Sequence, residues 1–490
     1  MIEKIKEKIP VLLSTFSFFA IITGITTRIA LYIANPTLWL DESALSLNIL
    51  DFNFLELLRT DRFNQSAPFA YLLLEKLLTS FVGIQEYLLR LPAFVAGLAA
   101  LYLLYRLFEA FEIRNKVMLA FFAVLPVAIT YSVQQKQYMI ELAISALLLI
   151  ITREFLSSHD NKKLLQLLIT GVISQFFSQT SIFILAACGL LLAYDLIHSQ
   201  KGKLTDLIKK ILPVAVAWGS TLVTLYFIQY RYTLGNEHIY TYWENSKAFL
   251  HLNEFITFYL LYLSIFSFSY SFGKVAPLLL FIGLLGGYGI NTFATKDFYA
   301  KNKKSLVLIF LTFAFPILAS MLGIYPLQGR LAIFLIPSTL LLFGILLHES
   351  SHLLVKSGVT LFIAALTVWL TATIRYFPQR YVIAGETYGF QENLQEVMSL
   401  QPSEYSIFFI DGNLTMEYYL RRYPKLREFQ VYSYDNNSDW KTDISHKMAG
   451  SKLVFLFPYR VSEWQEQIDF VASKSNVTCK TNVHFMCIID

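Results

Sequence analysis

Residues 117–156 read VMLAFFAVLPVAITYSVQQKQYMIELAISALLLIITREFL. Two apolar runs, 117–131 and 139–156, are joined by a very short polar turn, Tyr131-Ser132-Val133-Gln134-Gln135-Lys136-Gln137-Tyr138, with Glu141 following one helical turn later. A helix that spans a membrane needs about 20 mostly apolar residues. Runs of this kind recur from residue 11 to residue 375.

The composition agrees. The 490 residues are 55% hydrophobic, 16% aromatic and 15% charged, against about 25% charged in a soluble domain. The deficit lies in residues 1–375; from about residue 376 the composition becomes that of a soluble domain. The expected fold is a polytopic α-helical membrane protein, residues 1–375, followed by a small extracytoplasmic α/β domain, residues 376–490. The net charge of +5 divides into −3 for residues 376–490 and +8 for the apolar part. No nucleic-acid partner is indicated, because basic residues in a membrane protein mark cytoplasmic loops.

Charge also orders the spans. Lys4, Lys6 and Lys8 place the N-terminus in the cytoplasm, and Val11–Ala34 is too long for a cleaved signal peptide. The later basic linkers are Arg106–Lys116, Arg153–Lys163, Lys201–Lys210, Lys296–Lys304 and His348–Lys356. With all of them inside, spans fall at about 11–34, 91–108, 117–131, 139–156, 164–178, 181–197, 211–228, 275–294, 305–324, 331–347 and 357–375. That makes about eleven and leaves the C-terminal domain outside. Phe69–Val82 and Phe255–Ser271 would reverse every later loop if counted as spans, so they are expected as interfacial or re-entrant helices. A multi-pass protein of a bacterial inner membrane is the expected result.

The C-terminal domain alternates strand-like and helix-like runs: strands at Ser406–Ile410, Gln430–Tyr434, Lys452–Phe457, Val477–Lys480 and His484–Ile489, and helices at Thr415–Tyr423 and Ser462–Ser473. It contains no glycine-rich phosphate loop. Asp411-Gly412-Asn413 reads as a helix cap. Cys188 sits in an apolar run as a packing residue, while Cys479 and Cys487 flank a hairpin. Their spacing alone leaves a disulfide open; an oxidising compartment would permit it.

Three polar clusters fall in the outer loops. The first is Leu38-Trp39-Leu40-Asp41-Glu42-Ser43. A carboxylate beside hydrocarbon is expensive and suits a general base on a hydroxyl. Acidic residues also complement a helix N-terminus, and the sequence weighs the two evenly. The second is Tyr131–Tyr138, where Lys136 stands outside against the usual bias; it suits an anionic partner or a lipid headgroup. The third is Tyr325-Pro326-Leu327-Gln328-Gly329-Arg330, whose arginine suits a phosphate; taken alone, Arg330 reads better as a headgroup contact.

These clusters, in this order, resemble the GT-C class of glycosyltransferases that use polyprenyl-phosphate sugars. The class includes protein O-mannosyltransferases and lipid A aminoarabinose transferases. Leu38–Ser43 resembles its W-x-D-E element, and Ser66–Tyr71 with Arg90-Leu91-Pro92 resembles P-P-x-Y-Y…R-L-P. Tyr131–Tyr138 resembles Y-S-x-E-x-K/R-x-Y, and Tyr325–Arg330 resembles Y-P-x-x-x-R. The resemblance implies Asp41 as catalytic base with Glu42 beside it. It implies that Lys136 and Arg330, with Tyr131 and Tyr138, bind the donor phosphate. It places Glu141 and Gln134 as supporting or metal-binding positions. The chain departs from the pattern twice: Gln134 stands where an acid is common and Ala67 where a proline is common. The first departure weakens any metal site, so a divalent metal is left open and not required.

The implied function is transfer of one sugar from a polyprenyl-phosphate donor to an extracytoplasmic glycan, lipid or protein hydroxyl, with membrane lipid as the other partner. The rival is a transporter or flippase of a lipid-linked saccharide. That would favour internal repeats and midplane charges, which the sequence lacks.

Overall fold

The structure, a computed structural model, describes residues 2–58, 62–114, 116–199, 204–250, 296–349, 390–410, 413–434, 452–457, 469, 473, 477–480 and 485–489. The chain divides into two compact units. Residues 1–29, 54–74 and 90–374 form a helical unit; residues 30–53, 75–89 and 375–490 form a mixed unit.

The helical unit carries most of α1 (Ile2–Ala34) and α4 (Glu86–Ala110) and the start of α3 (Phe69–Val82). It then runs through α5 (Val117–Ala123), α6 (Pro126–Ser132), α7 (Tyr138–Ser158), α8 (Asn161–Phe177), α9 (Ser181–Ser199) and α10 (Leu204–Leu225). The helices Lys296–Met321 and Ile336–Glu349 follow, the second entered through a 3-10 turn, Gly329–Leu335. Among the described residues six segments are long and apolar enough to cross a membrane: Ser14–Ala34, Glu86–Ala110, Ser181–His198, Lys209–Leu234, Phe298–Met321 and Gly329–His348. Apolar residues such as Leu212, Val216, Val223, Phe310 and Leu318 remain exposed on them, as hydrocarbon-facing surfaces do. The protein is a multi-pass membrane protein.

The expected spans at 275–294 and 357–375, and the expected interfacial helix Phe255–Ser271, lie outside the described residues. The eleven expected spans therefore stand against six qualifying segments. Helices α7 and α8 cover the expected 139–156 and 164–178. One expectation is corrected. Residues 117–131 are not a single helix, because Leu125 is extended (φ −67°, ψ 121°) ahead of Pro126, which opens α6. Proline disfavours helical geometry in the residue before it and supplies no backbone donor, so the run breaks there. Phe69–Val82 forms a helix of 14 residues, too short to cross.

Ion pairs of the helical unit gather where inner linkers are expected. Arg106 pairs with Glu154 at 4.0 Å and Lys163 with Glu154 at 2.5 Å. Buried Asp195 receives Lys304 at 2.5 Å and faces His159 at 3.6 Å. These pairs lie at linkers expected inside or, for Asp195, at the adjoining span end. A second group of contacts, around turns expected outside, forms the site below.

The mixed unit is built on a five-stranded sheet in the order β2-β1-β3-β5-β4. β1 (Tyr405–Ile410) lies parallel to β2 (Gln430–Tyr434) and β3 (Lys452–Phe457). β5 (Phe485–Ile489) runs antiparallel to β3 and β4 (Val477–Lys480). Register stacks Phe408 on Tyr432 and on Phe455, with ring centroids 4.8 and 5.2 Å apart. The ladder sets Cys479 opposite Cys487, and Cys487 is disulfide-bonded, while Cys188 is free. The five strands match the sequence reading, as does the helix Asn413–Arg422; the expected helix Ser462–Ser473 lies outside the described residues apart from Asp469 and Ser473.

Candidate functional site

Breaking the helix at Pro126 frees the last carbonyls of α5, and a buried arginine takes one of them. Arg28 of α1 is fully buried; its Nη1 donates to the Ala123 carbonyl at 2.6 Å and to Gly24 at 3.0 Å. Its Nε donates to Ser132 Oγ at 3.1 Å. Two glycines let the helices come this close. A Cβ on Gly24 would meet the Ala123 oxygen at 2.1 Å, and one on Gly97 of α4 would meet Ser132 Oγ at 2.2 Å. The polar turn between α6 and α7 is thereby held from α1 and α4.

The turn itself is tight. The Val133 N–H donates to the Thr130 carbonyl at 3.1 Å and the Lys136 N–H to the Gln134 carbonyl at 2.7 Å. Tyr131 and Tyr138 meet edge to face, centroids 5.0 Å apart. Lys136 lies between them in sequence and is only 4% exposed. Its Nζ donates to Gln65 Oε1 at 2.8 Å. Ser66, next to Gln65, accepts from Gln179 Nε2 at 2.9 Å. Gln229 clamps the following step, donating to the Ala67 carbonyl at 2.6 Å and accepting the Phe69 N–H at 3.2 Å.

Glu141, buried on the first turn of α7, accepts from the Thr180 hydroxyl and the Gln179 backbone. The late turn joins this group through Tyr325, which senses the charge of Glu141 and lies near Tyr138. Burial, reinforced by those neighbours, holds the Tyr325 hydroxyl well above its usual pKa. It stays neutral and donates to the Leu331 carbonyl at 2.8 Å. Arg330 lies over the Trp243 ring with its guanidinium carbon 6.0 Å from the centroid, a cation–π geometry at the limit of its range.

The remaining two sequence-predicted residues belong to the mixed unit. Asp41 and Glu42 occupy the first turn of α2 (Leu40–Asp51). Glu42 is buried, and its Oε2 accepts the Trp39 N–H at 3.3 Å, satisfying a donor at the helix start. Asp41 is partly exposed. The reading of acids at a helix N-terminus thus holds for both, and it leaves the Asp41 carboxylate the less enclosed of the pair. Helix α2 is gripped by the C-terminal helix Asn413–Arg422: the Leu38 N–H donates to the Tyr419 hydroxyl at 2.9 Å, and Arg421 pairs with Asp51. Arg422 also reaches Glu86 at 3.8 Å.

Lys136, Tyr131, Tyr138, Gln134, Glu141 and Arg330 are therefore in the helical unit, while Asp41 and Glu42 are in the mixed unit. Sequence reasoning missed Gln65, Gln179, Thr180 and Arg28. The polar tetrad Ser178-Gln179-Thr180-Ser181 between two apolar runs was the available signal for two of them. Gln65 and Arg28 carried none, since a lone polar residue beside a hydrophobic helix reveals no partner. Among the described residues no group of three or more His, Cys, Asp or Glu could hold a metal ion. With a glutamine at position 134, the described residues offer no metal centre.

No protein-family model matches this chain, and no curated protein does. Among the solved structures similar to it are two of one protein. ArnT from Cupriavidus metallidurans bound to undecaprenyl phosphate is 11% identical over 98% of this chain and 98% of its own, with a TM-score of 0.50. The apo form of the same protein is 11% identical over 99% of this chain and 98% of its own, with a TM-score of 0.48. The fold is that of the ArnT structure bound to undecaprenyl phosphate.

Proposed function

We propose that this chain, built on the fold it shares with ArnT, transfers one sugar from a polyprenyl-phosphate donor to a hydroxyl of an extracytoplasmic glycan, lipid or protein. One observation carries the reading: a nearly fully buried lysine, Lys136, sits at a polar turn between two apolar helices. A cation held at a polar turn between two apolar helices is what a lipid phosphate requires, because it can meet the phosphate's charge by a charge-assisted hydrogen bond. The related ArnT structure holds undecaprenyl phosphate.

The chemistry needs three acts. The acceptor oxygen attacks the anomeric carbon, and the bond from that carbon to the phosphate oxygen breaks. The acceptor's proton passes to the Asp41 carboxylate, the less enclosed of the acidic pair. The negative charge left on the polyprenyl phosphate is met by Lys136 and Arg330, with Tyr131 and Tyr138 walling the turn. Glu141 and the Thr180 hydroxyl orient the start of α7. Residues 1–375 carry the transfer, and residues 376–490 hold α2 and face the acceptor.

The N-terminus is cytoplasmic and residues 376–490 lie outside in this reading. Two observations support it: the ion pairs of Glu154 with Arg106 and Lys163, and of Asp195 with Lys304, gather at linkers and span ends expected inside, and Cys487 is disulfide-bonded, as an oxidising compartment allows. The test is purified protein in lipid nanodiscs, offered a panel of polyprenyl-phosphate sugars and nucleotide sugars. Consumption of a lipid-linked sugar with release of polyprenyl phosphate is expected. Use of a nucleotide sugar instead, or movement of the lipid without consumption, would overturn the assignment.

A further inference from the structure

Gln134 is 3% exposed, and neither its Oε1 nor its Nε2 has a hydrogen-bond partner among the described residues. Side-chain amides in a protein interior are almost always bonded, since leaving one polar group buried and unmet costs about 1–3 kcal/mol. Here both ends are unmet, so the finding does not depend on which end is oxygen and which nitrogen. Most of its neighbours are engaged, although Gln137 Oε1 in the same turn is also unmet among the described residues. Ser132 Oγ is bonded to Arg28 and Ala128, Lys136 Nζ to Gln65, and the Gln134 carbonyl to the Lys136 N–H. Only the carboxamide in this turn is left with both ends open.

We propose that the Gln134 carboxamide reads a hydroxyl-bearing edge of the donor's sugar, and so sets which sugar is accepted. The inference rests on the lipid-phosphate-sugar reading above and deepens it. The chemistry selects the partner. Oε1 needs a donor and Nε2 needs an acceptor. An ionised phosphate only accepts and would leave Oε1 still unmet. A sugar edge with hydroxyls does both. Location favours the same group: Gln134 is two residues from Lys136 and bonded to its backbone, and the sugar is attached to the phosphate that Lys136 would hold. Sites that hydrogen-bond a substrate hydroxyl discriminate strongly against analogues lacking it, because the protein's buried polar group is then stranded. An acidic side chain at this position would only accept; glutamine adds a donor and removes the charge.

The test is Gln134→Leu in the full chain, reconstituted in nanodiscs, compared with wild type by three measurements. The first is binding of sugar-free undecaprenyl phosphate. The second is binding of undecaprenyl phosphates carrying glucose, mannose or a 4-amino-pentose. The third is the thermal unfolding midpoint without ligand. The expected result is an unfolding midpoint unchanged or raised, undecaprenyl phosphate affinity within about 2-fold, and affinity for the preferred sugar-bearing lipid down about 10–100-fold, the equivalent of losing one to two hydrogen bonds to a buried group. A purely structural glutamine would instead lower the midpoint and leave the sugar preference intact, which would overturn the proposal. Equal loss for sugar-free and sugar-bearing lipid would assign Gln134 to the phosphate and overturn it too, with the transferase reading intact. Wild-type protein that binds none of these lipids would sink both. If Gln134→Leu does not fold, the premise of an unmet amide has failed in that variant. Gln134→Asn, which keeps both polar atoms but shortens the reach, then carries the binding comparison, and retained sugar preference in it overturns the proposal.

Discussion

The Tyr419 hydroxyl, on the C-terminal helix Asn413–Arg422, accepts the backbone N–H of Leu38 at 2.9 Å, and both residues are fully buried. A side chain from the soluble domain thus fixes the backbone three residues before Asp41. Tyr419→Phe removes the acceptor of this buried N–H and should destabilise the protein by about 1–2 kcal/mol. With Asp41 as base, kcat should fall further than the KM for donor rises, since the phosphate group is held by other residues. Steady-state kinetics with a thermal melt check this; an unchanged kcat in a destabilised variant would mean that Tyr419 is structural only.

Lys136 and Gln65 form the second relationship to test. Lys136→Ala should weaken undecaprenyl phosphate binding by at least about 10-fold, the worth of one charge-assisted contact. Gln65→Leu keeps the charge and loses only its orientation, so a smaller loss is expected. Arg330→Lys keeps charge but loses the planar fork, and should remain impaired where the contact is bidentate. Wild-type affinity in both Lys136→Ala and Arg330→Ala would remove the phosphate assignment.

Asp41→Asn should insert and fold normally yet lose about 10²–10⁴-fold in turnover, the usual contribution of a positioned base. Glu42→Gln should lose far less, because an amide oxygen can still accept the Trp39 N–H. Single-turnover transfer in folded preparations measures both. Near wild-type rates in Asp41→Asn would move the base elsewhere, with Glu141 the next residue to test.

Arg28→Met removes three donated hydrogen bonds and strands the Ala123 carbonyl at the helix break. A cost of about 2–4 kcal/mol is expected, read as a lower unfolding midpoint in detergent. Ser132→Ala, which deletes a single partner, should cost about 1 kcal/mol. A neutral Arg28→Met would show that the Pro126 break needs no support.

Cys487→Ser should destabilise the mixed unit by about 2–3 kcal/mol, as expected for a short disulfide-closed loop. Wild-type protein should show the same loss on reduction, and the variant should be insensitive to reductant. In intact cells a cysteine placed at Asn302 should resist impermeant labelling; its modification would reverse the topology.

Much of this protein was legible in its sequence. Repeated apolar runs and the charge of their linkers specify a polytopic membrane protein, because hydrocarbon admits only satisfied backbone and excludes unpaired charge. Short, nearly continuous apolar runs bounded by polar residues, such as Ser406–Ile410, mark buried strands of the sheet. The polar turn Tyr131–Tyr138 was visible because it interrupts apolar sequence. Which residues share a site was not visible. Contacts between residues 65 and 136, or 141 and 180, depend on how helices pack, and packing is set by shape over long sequence separations. The same holds for Arg28, whose role exists only because two glycines let α1 and α4 approach a helix broken at Pro126. The sequence likewise joined Asp41 to the membrane part, whereas tertiary contacts place it with the C-terminal domain. A short helix such as α2 buries little by itself, so it belongs to whatever it packs against, and here Tyr419 and Arg421 decide that.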